Sequence, residues 1–77
     1  MISTNQVLVV EDEEVIRTSL RRLLERHDYE VSEAGTVKES MEKYDIDNFD
    51  VIISDLRLPG APGTDLIKAT KTPVLIM

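Results

Sequence analysis

Three runs made wholly of apolar residues interrupt an otherwise mixed chain: Val7-Leu8-Val9-Val10, Val51-Ile52-Ile53, which is closed by Ser54 and Asp55, and Val74-Leu75-Ile76-Met77. Continuous β-branched runs of this length, bounded by polar or turn residues, read as strands buried on both faces of a parallel sheet. Between the first two the period changes. Over residues 13–26 the apolar side chains Ile16, Leu20, Leu23 and Leu24 fall at i, i+4, i+7 and i+8, the single stripe of a helix laid on a sheet. Arg17, Arg21, Arg22 and Glu25 are then expected to face outward. Asp12 is placed to cap the first turn, where the acids that follow also suit the positive end of the helix dipole.

The rest of the chain continues the alternation. Residues 29–34 read as a strand with one partly exposed face, expected at the sheet edge and ended by Gly35. Thr36-Val37-Lys38-Glu39 matches the capping box, so a second helix starts there and carries Val37, Met41 and Tyr44 inward. Residues 45–50 form a polar loop. After Asp55, the stretch Leu58-Pro59-Gly60-Ala61-Pro62-Gly63 is rich in helix breakers and reads as a loop above the sheet edge. Thr64 caps a short third helix that carries Leu66 and Ile67 inward and stops near Thr72-Pro73. Residues 74–77 read as a fourth buried strand. Strand and helix alternate throughout, which predicts an α/β fold, a three-layer doubly wound parallel sheet with helices on both faces. An apolar strand left at an edge invites pairing with another chain.

Composition narrows the functional classes. The 77 residues make one small domain, of marginal stability by its size, and the absence of cysteine excludes a disulfide framework or a thiolate metal site. A net charge of −6, from 9 basic and 15 acidic side chains, opposes direct contact with nucleic acid or an anionic membrane and favours a divalent cation or a basic partner. No apolar run is long enough to cross a bilayer, and residues 1–6 lack a basic segment leading into an apolar one. A cytoplasmic protein is expected.

Candidate chemistry concentrates on acids. Asp55 ends a strand at the edge where open α/β sheets bind ligands, although an aspartate there also caps turns, and the run alone does not choose. If the strands at residues 7–10 and 51–54 are neighbours, a spacing of about 4.8 Å brings Glu11, Asp12 and Asp55 together. Three like charges need a raised pKa or a bound cation, and hard oxygen donors suit Mg²⁺. A carboxylate beside that ion is a potential phosphoryl acceptor. Helix capping alone accounts for Asp12 well and for Glu11 poorly.

With Val7-Leu8-Val9-Val10-Glu11-Asp12-Glu13, Val51-Ile52-Ile53-Ser54-Asp55-Leu56-Arg57-Leu58-Pro59-Gly60 and Thr72-Pro73-Val74-Leu75-Ile76-Met77 in this order and spacing, the chain resembles the receiver domain of two-component response regulators. The resemblance covers essentially the whole chain. It implies a flavodoxin-like sheet with strand order 2-1-3-4, the N-terminal part of one receiver domain over residues 1–77, without the fifth strand and last helices. It further implies that Asp55 is the phosphoacceptor and Asp12 the direct acidic Mg²⁺ ligand. Glu11 then acts through water, and Arg57 gives the metal its backbone carbonyl. A sensor histidine kinase would donate the phosphoryl group, and the output, by a weak similarity of wording around Asp55, would be transcription regulation. The family's Ser or Thr and Lys that contact the phosphoryl group fall beyond Met77.

Two other functions compete. One is a receiver-like interaction module that no longer signals. The other is an Mg²⁺ phosphatase with an aspartyl nucleophile, disfavoured because the position two residues after Asp55 is Arg57 rather than an acid. Separately from the choice of function, the open sheet edge or the helices offer a contact for a homodimer. His27, the only histidine, reads as a helix-end cation, and Ser54 points away from the acid by strand alternation.

Overall fold

The computed structural model describes residues 5–77, so the leader-free reading of the start falls largely on residues 1–4, outside the described residues. The chain runs β1 (Gln6–Val10), α1 (Glu14–Arg26), β2 (Glu30–Ala34), α2 (Val37–Lys43), a 3-10 turn (Ile46–Asn48), β3 (Val51–Ser54), α3 (Asp65–Ala69) and β4 (Val74–Ile76). All strand pairs are parallel, and the sheet order is β2-β1-β3-β4, as the α/β reading requires.

Register divides the sheet into two faces, because successive side chains on a strand alternate. One face carries the rows Ser32-Leu8-Ile52-Val74 and Ala34-Val10-Ser54-Ile76. Here Leu8, Val10, Ala34 and Ile52 pack with Val37 of α2, Ile46 of the 3-10 turn and Leu66 of α3 into the buried core. The other face carries the row Glu33-Val9-Ile53-Leu75 and is covered by α1, whose Arg17 and Arg21 reach Glu33.

Several expectations change. The strand buried on both faces is β1, where residues 7–10 are all inaccessible; β3 is closed only on the Ile52 and Ser54 side. β4 is not buried, with Leu75 58% exposed at the sheet edge. No residue of α1 is buried, and Ile16 and Leu23 of its stripe are 42% and 50% exposed. Arg17 and Arg21, read as outward, instead turn to the sheet and pair with Glu33, since long cationic side chains lay their stems along the strand surface. The N-cap of α1 is Glu13, not Asp12, and it makes no side-chain cap.

At the other end of α1, Tyr29 N–H reaches Leu24 O and Asp28 N–H reaches Glu25 O. Asp28 is left-handed (φ 67°), which terminates the helix in the Schellman manner.

α2 begins at the expected N-cap with one half of the capping box: Thr36 Oγ1 accepts Glu39 N–H at 3.0 Å, while Glu39 Oε1 accepts the N–H of Gly35, one residue before the cap, in place of that of Thr36. Its buried residues are Val37 and Ser40, whereas Met41 is exposed. Residues 45–50 are not merely a polar loop. Asp45 caps a turn that buries Ile46, and Asp47 with Thr70 and Thr72 ties that turn to the segment before β4. In α3 only Leu66 is buried, Ile67 faces solvent, and Thr64 makes no side-chain cap because its own backbone is already helical.

Candidate metal centre

β1 and β3 are paired in register to Val10 and Ser54, so the next residue of each leaves the sheet at the same edge. The ladder continues one step further: Asp55 N–H donates to Val10 O at 3.1 Å, and Glu11 N–H to Ala34 O at 3.0 Å. Two rigid strands therefore deliver Glu11 and Asp55 side by side. With Asp12 they place carboxylate oxygens all within 4.8 Å of one another. This is the neighbour relation on which the sequence reading of the acids depended.

The three acids sit in different surroundings. Glu11 is 2% exposed, Asp55 half-buried and Asp12 exposed. Burial holds the Glu11 carboxyl above the ordinary carboxylate range, and the charge of Asp55 and the contact with Asp12 push it further; Glu13 N–H, donated to Glu11 Oε1 at 3.1 Å, acts against them. So it is Glu11, not Asp12, that takes an orphan N–H at the start of α1. Among the described residues, no Lys or Arg forms an ion pair with any of the three acids.

Arg57 borders the site by its backbone. Its N–H donates to Asp55 Oδ1 at 3.2 Å, which orients the carboxylate, while its side chain is exposed. The chain after it folds back so closely that Gly63 N–H reaches Leu56 O, and a Cβ on Gly63 would overlap Asp55 O and Ser54 Oγ. Ser54 is fully buried and donates its hydroxyl to Asp55 O, away from the acids as alternation requires.

Two supports were not read from the sequence. Gly63 passed as one breaker among several. Arg17, whose Nη1 donates to Glu11 O at 2.7 Å, passed as surface charge. The available signal was Glu33, the second of two acids on β2, set between Ser32 and Ala34 and within reach of an i, i+4 pair of arginines.

The donor set fits a small hard cation: carboxylate oxygens from two strand ends, one acid exposed enough to leave room for water, and, among the described residues, no ion-paired Lys or Arg offsetting them.

Comparison with known proteins places this geometry in context. The family described as "Response regulator receiver domain" matches residues 7–77. The transcriptional regulatory protein ResD of Bacillus subtilis is 36% identical, over 100% of this chain and 35% of its own length. Among solved structures, the chemotaxis response regulator CheY4 of Vibrio cholerae superposes with a TM-score of 0.86 at 33% identity, over 96% of this chain and 68% of that one. A response regulator from Burkholderia pseudomallei, solved with a phosphorylated aspartic acid, a calcium ion and citrate, gives 0.80 at 30% identity, over 94% of this chain and 45% of that one. The chain spans about a third of the length of the curated relatives it matches.

Proposed function

The chain belongs to the response regulator receiver domain family, and from that premise we propose that it accepts a phosphoryl group on Asp55 from a sensor histidine kinase in an Mg²⁺-dependent reaction. The observation that carries this reading is the meeting of Glu11, Asp12 and Asp55 within 4.8 Å at the ligand-binding edge, with no ion-pair partner among the described residues. Asp12, the exposed acid, and Asp55 would hold the ion directly, Glu11 through water, and the Arg57 carbonyl would complete the protein ligands. When bound, Mg²⁺ supplies the positive charge that draws phosphoryl oxygens towards Asp55 and offsets their charge during transfer.

The chain's own residues supply the geometry. The Arg57 N–H holds one Asp55 oxygen, and the other is the nucleophile. That oxygen forms the new O–P bond as the donor's N–P bond breaks; the electron pair returns to the donor imidazole, which takes a proton from solvent. Positioning of the acceptor by two strands and a closely packed loop is the chief contribution such a site makes. The resulting acyl phosphate is a switch rather than a turnover step, and by likeness to ResD we extend the output to transcription regulation, driven from outside this segment.

The test is labelling of the full chain by a small phosphodonor. Label that requires Mg²⁺ and disappears in Asp55→Asn supports the reading. Label that persists in Asp55→Asn overturns it.

A further inference from the structure

We propose that Arg17 is a positioning residue of the metal centre, clasping the peptide between Glu11 and Asp12 to β2 and so setting where the two carboxylates stand. The inference rests on the metal-binding reading of Glu11, Asp12 and Asp55.

The Glu11–Asp12 peptide is where the chain leaves the sheet. The N–H of Glu11 is still held by β2, through Ala34 O at 3.0 Å. Its carbonyl has passed the end of the strand ladder, and it accepts from Arg17 Nη1 at 2.7 Å, a charge-assisted bond. The guanidinium is itself fixed. Its Nε lies 3.4 Å from Glu33 Oε1, and the other oxygen of Glu33 accepts from Arg21 Nη1 at 2.7 Å. Glu33 stands on β2 in register with Val9 of β1.

A continuous set of polar contacts therefore runs from a paired strand, through the Glu33–Arg17 ion pair and the Arg17 hydrogen bond, to the one peptide shared by both acids. Rotation of that peptide plane would move the two side chains relative to Asp55. Arg17 forms no ion pair with Glu11, Asp12 or Asp55, so it acts through the backbone and not on the ion. Its fork matters: one arm holds the carbonyl while the Nε edge faces the carboxylate, which a lysine cannot do at once. Groups that orient metal ligands in this way typically change metal affinity about 10- to 100-fold when removed.

The experiment is calorimetric titration of the full chain with Mg²⁺, on wild type, Arg17→Met, Arg17→Lys and Glu33→Gln, with Ile52→Val as a control for lost packing. The expected result is affinity about tenfold weaker or more in Arg17→Met, partly recovered in Arg17→Lys, and unchanged in Ile52→Val even where its Tm falls. Should Arg17→Met not fold, Glu33→Gln carries the test, because it removes the charge and one of the two acceptor oxygens that hold the guanidinium while leaving Arg17 in place, and weaker binding is expected. Wild-type affinity in Arg17→Met, or in Glu33→Gln where that variant stands in, accompanied only by a lower Tm, overturns the positioning role and leaves the metal site standing. Absence of binding in the wild type overturns the metal reading and the positioning role together.

Discussion

The two faces of one sheet are held by different physics. On the first, the row Ser32-Leu8-Ile52-Val74 lies beneath side chains from α2, the 3-10 turn and α3, and apolar burial does the holding. On the second, the row Glu33-Val9-Ile53-Leu75 grades from an ion-paired carboxylate to a largely exposed leucine, under a helix that buries none of its own residues. The first face stabilises; the second, through Arg17 and Glu33, orients the acids at its rim. Partly exposed ion pairs of this kind contribute modestly to stability, and the role proposed for this one is geometric.

Truncation on each face breaks or sharpens that contrast most directly. Leu66→Ala, at a fully buried position, is expected to cost about 2–5 kcal/mol by denaturant unfolding. Leu23→Ala, at a half-exposed one, is expected to cost about 1 kcal/mol or less, and equal losses would erase the distinction.

Gly63→Ala comes next. Its added methyl must displace the Asp55 carbonyl or the Ser54 hydroxyl, an overpacking cost of about 1–3 kcal/mol, and it is expected to disturb Asp55 as well as the fold. A Tm unchanged from wild type would mean that the loop is looser than its packing implies.

The smallest effect is a pH dependence. Because the Glu11 carboxyl titrates above its ordinary value of 4.5 in the folded chain, the folded state binds more protons than the unfolded one in the window just above that value. Stability without metal should therefore fall as pH rises through the folded pKa. Asp47, held low by the Thr70 hydroxyl and Lys71 N–H, works at more acidic pH and in the opposite sense, losing its contribution as pH falls. Glu11→Gln should remove the first slope and keep the second. Unfolding curves collected across the acid range check this, and an unaltered slope in Glu11→Gln would contradict the assignment.

Much of this was legible in the chain. The runs at residues 7–10 and 51–54 carried the strands, and with them the juxtaposition of Glu11, Asp12 and Asp55, because two paired strands leave their next residues at a common edge. What escaped was which neighbour of a stripe the sheet covers. Periodicity gives a direction around a helix, yet Met41 lost its place to Ser40 in a helix of 7 residues, where one position shifts the whole inner side. Residue class also misled at Arg17, since a charged side chain was assumed to seek water when a carbonyl and a carboxylate awaited it. The roles of Glu11 and Asp12 at the start of α1 were exchanged for a related reason: a long carboxylate at a buried position reached the Glu13 N–H that the shorter, exposed one left alone.

The central claim is that three acids share one cation. An NMR titration with Mg²⁺, following the amides of residues 11–13 and 55–57 in the wild type and in Asp12→Asn, tests it most directly. The account predicts that both segments shift together and saturate at one ion per chain, and that Asp12→Asn abolishes the response at both. Shifts confined to one segment, or a full response at residues 55–57 in Asp12→Asn, would contradict it.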